Sequence, residues 1–159
     1  MAKPLVVILM GSKTDLGHCQ KIADACMSYG IEVTMRIGSA HKTPEHILKF
    51  LKKYEADPRP KVYITVAGRS NALSGFTDGA VSAPVIACPP SLDSFGGADI
   101  YSSLRMPSGV APAVVLEPVN VALLAAKILG LVDEDVHTAV IESQKHSSRK
   151  TIEDDKTIQ

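Results

Sequence analysis

Apolar and polar positions alternate in blocks along this chain. Leu5-Val-Val-Ile-Leu-Met10 is an unbroken apolar run, the pattern of a parallel strand covered on both faces. Gly11-Ser-Lys-Thr-Asp15 interrupts it. From Leu16 to Ser28, the residues Leu16, Cys19, Ile22, Ala23 and Cys26 recur at helical spacing, and Tyr29-Gly30 places a glycine just past the last turn. Residues 31–37 alternate as a second strand. After the loop Gly38–Thr43, the triplet Thr43-Pro44-Glu45 reads as a helix start (cap, proline at the first position, acid in the first turn), and that helix reaches about Tyr54.

The alternation continues beyond a short rigid connector, Asp57–Pro60. It predicts a strand at Val62–Ala67, a short helix near Leu73–Ala80 and a strand at Val85–Cys88. A long polar loop, Pro89–Gly97, leads to a short helix near Asp99–Leu104, a strand at Ala113–Leu116 and an alanine-rich helix at Val119–Leu129 that Gly130 ends. Five strand–helix repeats predict an α/β fold: one open parallel sheet, helices on both faces, right-handed crossovers. The expected organisation is one domain over 1–159, with the sheet and its helices to about 131 and a C-terminal helical arm and tail at 132–159. Along the arm, Val136, Ala139, Val140 and Ile141 share a helical face between Glu134 and about Arg149. That face fits two readings, a helix folded back on its own domain or an arm on a neighbouring subunit. Ser147–Gln159 is polar and expected to fray.

Composition narrows the function classes. A chain of 159 residues and 45% hydrophobic content is not disordered, and its folded surface should be about 7,700 Å². Seventeen basic residues balance seventeen acidic ones. No charge surplus exists to hold nucleic acid or an anionic membrane, so an anion must be held by a local site. Cys19, Cys26 and Cys88 form no CxxC pair, which argues against a disulfide framework or a zinc site and for reduced thiols in the cytoplasm. The N-terminal apolar run is too short to span a bilayer.

In an open parallel sheet, ligands bind beyond the carboxyl ends of the strands. Those ends carry GSKTD, GSAHKTP, AGRSN and CPPSLDSFGG, whereas the opposite edge has ordinary connectors. GSKT is not a nucleotide-triphosphate loop, because Ser12 and Val7 stand where that motif needs glycines, and GxGxxG is absent too. Gly11, the hydroxyls of Ser12 and Thr14, and a helix start still make a seat for a monoester phosphate. The plainer reading is that Ser12 and Asp15 only cap the helix. The second loop adds Ser39 and Lys42 on either side of His41, beside another helix start. Asp15 cannot hold phosphate but suits ribose hydroxyls. His41 is the one histidine on this edge; His18, His46, His137 and His146 read as surface or interface residues. A lone loop histidine is more often structural, and the two flanking anion seats are what favour chemistry at His41. No metal-ligand spacing or nucleophile elbow appears. Cys88, with no base in evident reach, reads as a core thiol.

The motifs GSKTD, GSAHKTP, AGRSNALSG, CPP and SSLRMPSGV, in this order between about Val6 and Leu131, resemble the aminoimidazole ribonucleotide (AIR) carboxylase family of purine biosynthesis. The resemblance implies a three-layer α/β/α fold around a parallel flavodoxin-like sheet. It also implies a lyase that needs no cofactor or metal, acting on a small ribonucleotide and carbon dioxide. The assembly it implies is a homo-octamer in which the C-terminal helix packs on a neighbouring subunit. By the same resemblance Ser12, Ser39 and Lys42 bind the ribotide phosphate, Asp15 binds the ribose, His41 moves the proton at carbon 4, and Gly68 and Ser70 line the site. Gly11, Ala40, Arg69, Asn71, Ser103 and Arg105 are further candidates for lining it. Lys42, where the sister mutase branch carries arginine, and a run AGRSN without the mutase's second histidine point to the branch that carboxylates directly (class II). The alternatives are the N5-carboxyaminoimidazole ribonucleotide mutase of that sister branch and a non-enzymatic flavodoxin-like binding protein. The latter is disfavoured by the absence of tryptophan and the scarcity of aromatics near the loops.

Overall fold

The apolar run Leu5–Met10 forms β1, the strand around which the sheet is laid out; the computed structural model describes residues 2–158. β2 (Glu32–Ile37), β3 (Lys61–Val66), β4 (Val85–Ala87) and β5 (Ala113–Val114) complete a parallel sheet in the order β2-β1-β3-β4-β5. β1 pairs along its whole length on both sides, from Leu5 with Glu32 and Lys61 to Met10 with Ile37 and Val66. The helices are α1 (Leu16–Ser28), α2 (Pro44–Glu55), α3 (Leu73–Asp78), α4 (Tyr101–Leu104), α5 (Pro118–Leu129) and α6 (Glu134–Lys156).

Strand periodicity sends alternate β1 side chains into two separate cores. Val6, Ile8 and Met10 pack with Cys19, Ile22 and Cys26 of α1 and with Val121, Ala122, Ala125 and Ala126 of α5. Leu5, Val7 and Leu9 pack with Ile47, Phe50 and Leu51 of α2, Tyr63 of β3 and Leu73 of α3. All six β1 residues are essentially inaccessible. At roughly 1.5–3 kcal/mol each, their burial contributes on the order of 9–18 kcal/mol before chain ordering offsets it. This explains why the run is apolar without alternation. Small residues on α5 let it approach the sheet beside α1.

Two expectations are corrected here. The last strand is shorter than expected: only Ala113 and Val114 pair with β4, followed by a single further bond from the Val115 N–H to the Ala87 carbonyl at 2.9 Å. The terminal helix does not fray at Ser147 but continues to Lys156. Asp133 caps it by accepting the Val136 N–H at 3.0 Å. Farther along, a Glu142–Lys145 ion pair at 2.9 Å and the Ser147 and Thr151 hydroxyls, each bonded to the carbonyl four residues back, satisfy the helix without an apolar face. Val136 and Val140 join the α1–α5 core, so the first turns of α6 fold back on their own domain. Beyond Ile141 the helix is almost wholly exposed, and the total surface is 9139 Å², well above the ~7,700 Å² of a globular monomer of this mass. No helix among the described residues is long and apolar enough to cross a membrane.

Candidate active site

The strand order reverses between β1 and β3, and the loops after β1 and β2 each start with a bond to the end of a neighbouring strand. Gly11 donates its N–H to the Val66 carbonyl at 2.9 Å, and Gly38 donates to the Met10 carbonyl at 3.0 Å. Their divergence opens a cleft of about 510 Å³ at the carboxyl edge, the place that open parallel sheets use for ligands. Gly11, Ser12, Thr14 and Asp15 line it from the loop after β1, and Ser39, Ala40, His41 and Lys42 from the loop after β2. Ala67, Gly68, Arg69 and Ser70 follow β3, Leu73 opens α3, and Pro90, Ser91 and Ser94 follow β4.

The 39–43 loop is a compact turn. The Ser39 hydroxyl oxygen accepts the Lys42 N–H at 3.3 Å, and the Ser39 N–H reaches the Thr43 hydroxyl at 3.0 Å. Thr43, expected as the α2 cap, makes no cap bond and ties Ser39 in place instead. The Ser12 hydroxyl oxygen accepts the Thr14 N–H at 3.3 Å and the Thr14 hydroxyl at 3.0 Å. Both serine oxygens thus act as acceptors within the protein, and each keeps an O–H to donate to an anion. Lys42 and Arg69 supply positive charge on the cleft wall, and Asp15 supplies the carboxylate. Asp15 makes no side-chain cap bond. Burial raises its pKa above the usual carboxylate value, against a backbone hydrogen bond at Ser12 and the nearness of His18.

Three sequence-predicted lining residues lie outside the cleft. Asn71 is buried and turned into the protein, donating from Nδ2 to the Ser103 hydroxyl at 3.0 Å and accepting the Ser74 N–H at its Oδ1. Ser103 is buried as its partner, and Arg105 is exposed past the end of α4. Spacing could place these polar residues at the ligand edge but could not say which way they point. Conversely, Ala67, Leu73, Pro90, Ser91 and Ser94 line the cleft without a sequence signal of their own beyond lying at or near the same sheet edge. His18, expected at the surface or an interface, is half-buried with Nε2 3.3 Å from the Cys88 sulfur. Burial pushes the Cys88 thiol up to about 12 and lowers the His18 pKa, so burial disfavours the charged form of each.

A parallel five-stranded sheet flanked by helices, with a polar cleft at its switch point, is a flavodoxin-like α/β fold with room for a small polar ligand. The AIR carboxylase profile matches residues 5–150. A phosphoribosylaminoimidazole carboxylase of Treponema denticola is 60% identical over 98% of both chains. One from Archaeoglobus fulgidus is 54% identical over 96% of this chain and 83% of its own. The bifunctional phosphoribosylaminoimidazole carboxylase/phosphoribosylaminoimidazole succinocarboxamide synthetase of Homo sapiens is 48% identical over 79% of this chain, which spans 30% of that longer protein. The crystal structure of Treponema denticola PurE superposes with a TM-score of 0.97 at 59% identity, covering 99% of each chain. The chain belongs to the AIR carboxylase family, enzymes of purine biosynthesis.

Proposed function

We propose that this enzyme carboxylates 5-aminoimidazole ribonucleotide directly and reversibly with carbon dioxide, giving the 4-carboxy ribonucleotide, with His41 as the proton shuttle. The observation that carries the reading is the convergence of Ser12, Ser39 and Lys42 with His41 and Asp15 around one cleft. The serine hydroxyls and Lys42 hold the phosphate, and Asp15 takes the ribose hydroxyls. Each hydrogen bond to the charged phosphate contributes roughly 1.5–3 kcal/mol. That remote binding energy fixes the ring and a small apolar gas in reacting geometry. Gly68 and Ser70 form the wall beside them.

Aminoimidazole is an enamine, so carbon 4 is already nucleophilic. Its electron pair forms the bond to the carbon of carbon dioxide, while one C=O π pair moves onto oxygen to make the carboxylate. Carbon 4 is then tetrahedral and carries both a hydrogen and the carboxylate. His41 removes that proton, the C–H pair returns to the ring, and aromaticity is restored. In reverse, His41 protonates carbon 4 and carbon dioxide leaves. General acid–base catalysis of this kind contributes about 10²–10⁴-fold.

Lys42 and the run Arg69-Ser70-Asn71, together with relatives named phosphoribosylaminoimidazole carboxylases, support the direct branch over the mutase. We also propose that the working form is a homo-octamer with α6 packed on a neighbouring subunit, consistent with its exposed length. The deciding assay supplies the ribonucleotide with bicarbonate as the source of carbon dioxide, and separately the N5-carbamate. Turnover of the first is expected, whereas turnover of the carbamate alone would put the enzyme in the mutase branch. In the same assay His41→Asn should keep ribotide binding and lose at least ~10² in turnover. Full activity would remove His41 from the mechanism.

A further inference from the structure

Asp99 is an acid whose place in the structure is not accounted for by the substrate contacts above. It is 6% exposed, it lies in the 3-10 segment before α4, and it is absent from the cleft lining. Its Oδ2 accepts the backbone N–H of Arg69. Its Oδ1 is buried without a partner. Arg69 stands at φ 63°, in the left-handed region that a residue with a Cβ seldom occupies. The next residue but one is gripped from the same segment: the Asn71 N–H donates to the Ser102 hydroxyl at 2.9 Å, and that hydroxyl donates to the Asp99 carbonyl at 2.7 Å. Sequence alone assigned Ser102 no role, and the structure makes it part of this clamp.

We infer that Asp99 is a positioning residue for the carboxylation step. A buried carboxylate bonded to a backbone amide is a strong, charge-assisted acceptor. Here it pins the amide of a residue that would otherwise relax out of the left-handed region, and so it holds Gly68 and Ser70 against the cleft. The phosphate seats of Ser12, Ser39 and Lys42 belong to other loops and do not depend on it. Asp99 therefore governs the wall beside the reacting carbon rather than ribotide affinity. This inference rests on the function proposed above for the cleft.

The test is a double-mutant cycle between Asp99→Ala and Arg69→Gly, with Asp99→Asn beside it. Glycine adopts positive φ without help, so it should make the carboxylate dispensable whatever Arg69→Gly does alone. Asp99→Ala is expected to lower kcat at least ~10-fold while the ribotide KM stays within about 2-fold. Added to Arg69→Gly, it should cost less than about 2-fold. Asp99→Asn keeps an amide oxygen for the Arg69 N–H and should lose no more than ~3-fold. Equal losses in both backgrounds, or a loss carried by KM, would overturn the inference. If Asp99→Ala does not fold, Asp99→Asn and the hydrogen exchange of the Arg69 amide decide. That amide should be protected in the native protein and less so in Asp99→Asn, and an unprotected Arg69 amide in the native protein refutes the clamp. If the native enzyme turns over neither substrate, the proposed function falls, and the exchange measurement still judges Asp99 by itself.

Discussion

Replacing Gly68 by alanine separates what the fold requires from what the reaction requires. A Cβ built at Gly68 would lie 3.6 Å from Asp99 Oδ2 and 3.6 and 3.7 Å from Pro90 Cγ and Cδ, all ordinary contacts. Gly68 is also not among the positive-φ glycines. Nothing in the protein therefore demands glycine there, and losing glycine's freedom in the unfolded chain should stabilise the fold by about 0.4–1 kcal/mol, or up to ~4 °C in melting temperature. The methyl does, however, occupy the wall of the cleft beside Pro90, where carbon dioxide is placed by the function proposed. Forcing a methyl into space that a reactant fills costs roughly 1–3 kcal/mol, a loss of about 5–160-fold in turnover. Ribotide binding, held from other loops, should be unchanged. Thermal melts, ribotide titration and the bicarbonate-dependent rate measure the three quantities. Gly38→Ala is the control, because its Cβ would come within 2.6 Å of Ile47 Cγ1 and should cost stability instead. A Gly68→Ala enzyme that melts unchanged and carboxylates at the native rate would refute the placement of the gas at this wall; one that melts much lower would refute the packing argument.

Lys42→Ala should raise the ribotide KM by about 10–100-fold with a smaller change in kcat, as expected for one lost charge-assisted bond to phosphate, read from initial rates. Asp15→Asn should raise the melting temperature of the free protein while weakening ribotide binding. The folded-state pKa of Asp15 is raised, so its ionisation opposes folding at every pH above that value, and the gain should vanish in acid. Glu55 behaves in the opposite sense. Burial pushes its pKa up, but the Ser82 N–H and hydroxyl and the Tyr63 hydroxyl bond its carboxylate and leave it lowered. Its contribution is therefore whole above the ordinary glutamate value and disappears as pH falls through the lower folded value. Glu55→Gln should cost about 1 kcal/mol at neutral pH, and melts of the two proteins should converge once the pH has fallen below the lowered folded value.

The elements that bury a continuous or periodic apolar face were readable before any coordinates. β1 and α1 begin and end where Leu5–Met10 and Leu16–Ser28 predicted. The cleft was readable to the level of its loops, because glycine and hydroxyl residues collect at strand ends for one physical reason, close approach to a ligand. What spacing could not convey was side-chain direction. Asn71 and Ser103 look like site residues in sequence, yet they bond to each other inside the protein. Thr43 sits at a cap position but spends its hydroxyl on Ser39. The reach of α6 to Lys156 was missed because no apolar stripe marks it; local ion pairing and back-bonded hydroxyls carry a polar helix that hydrophobic periodicity does not detect.

β1 is completed on one side by β2, which the chain reaches through α1, and on the other by β3, which comes only after β2 and α2. During synthesis the ribosome delivers this greasy six-residue ribbon well before the strand that closes its far flank. A nascent chain paused in that interval displays an open, uncharged β-edge to every other copy nearby. The segment that secures the finished sheet is thus an aggregation hazard while the polypeptide is being made.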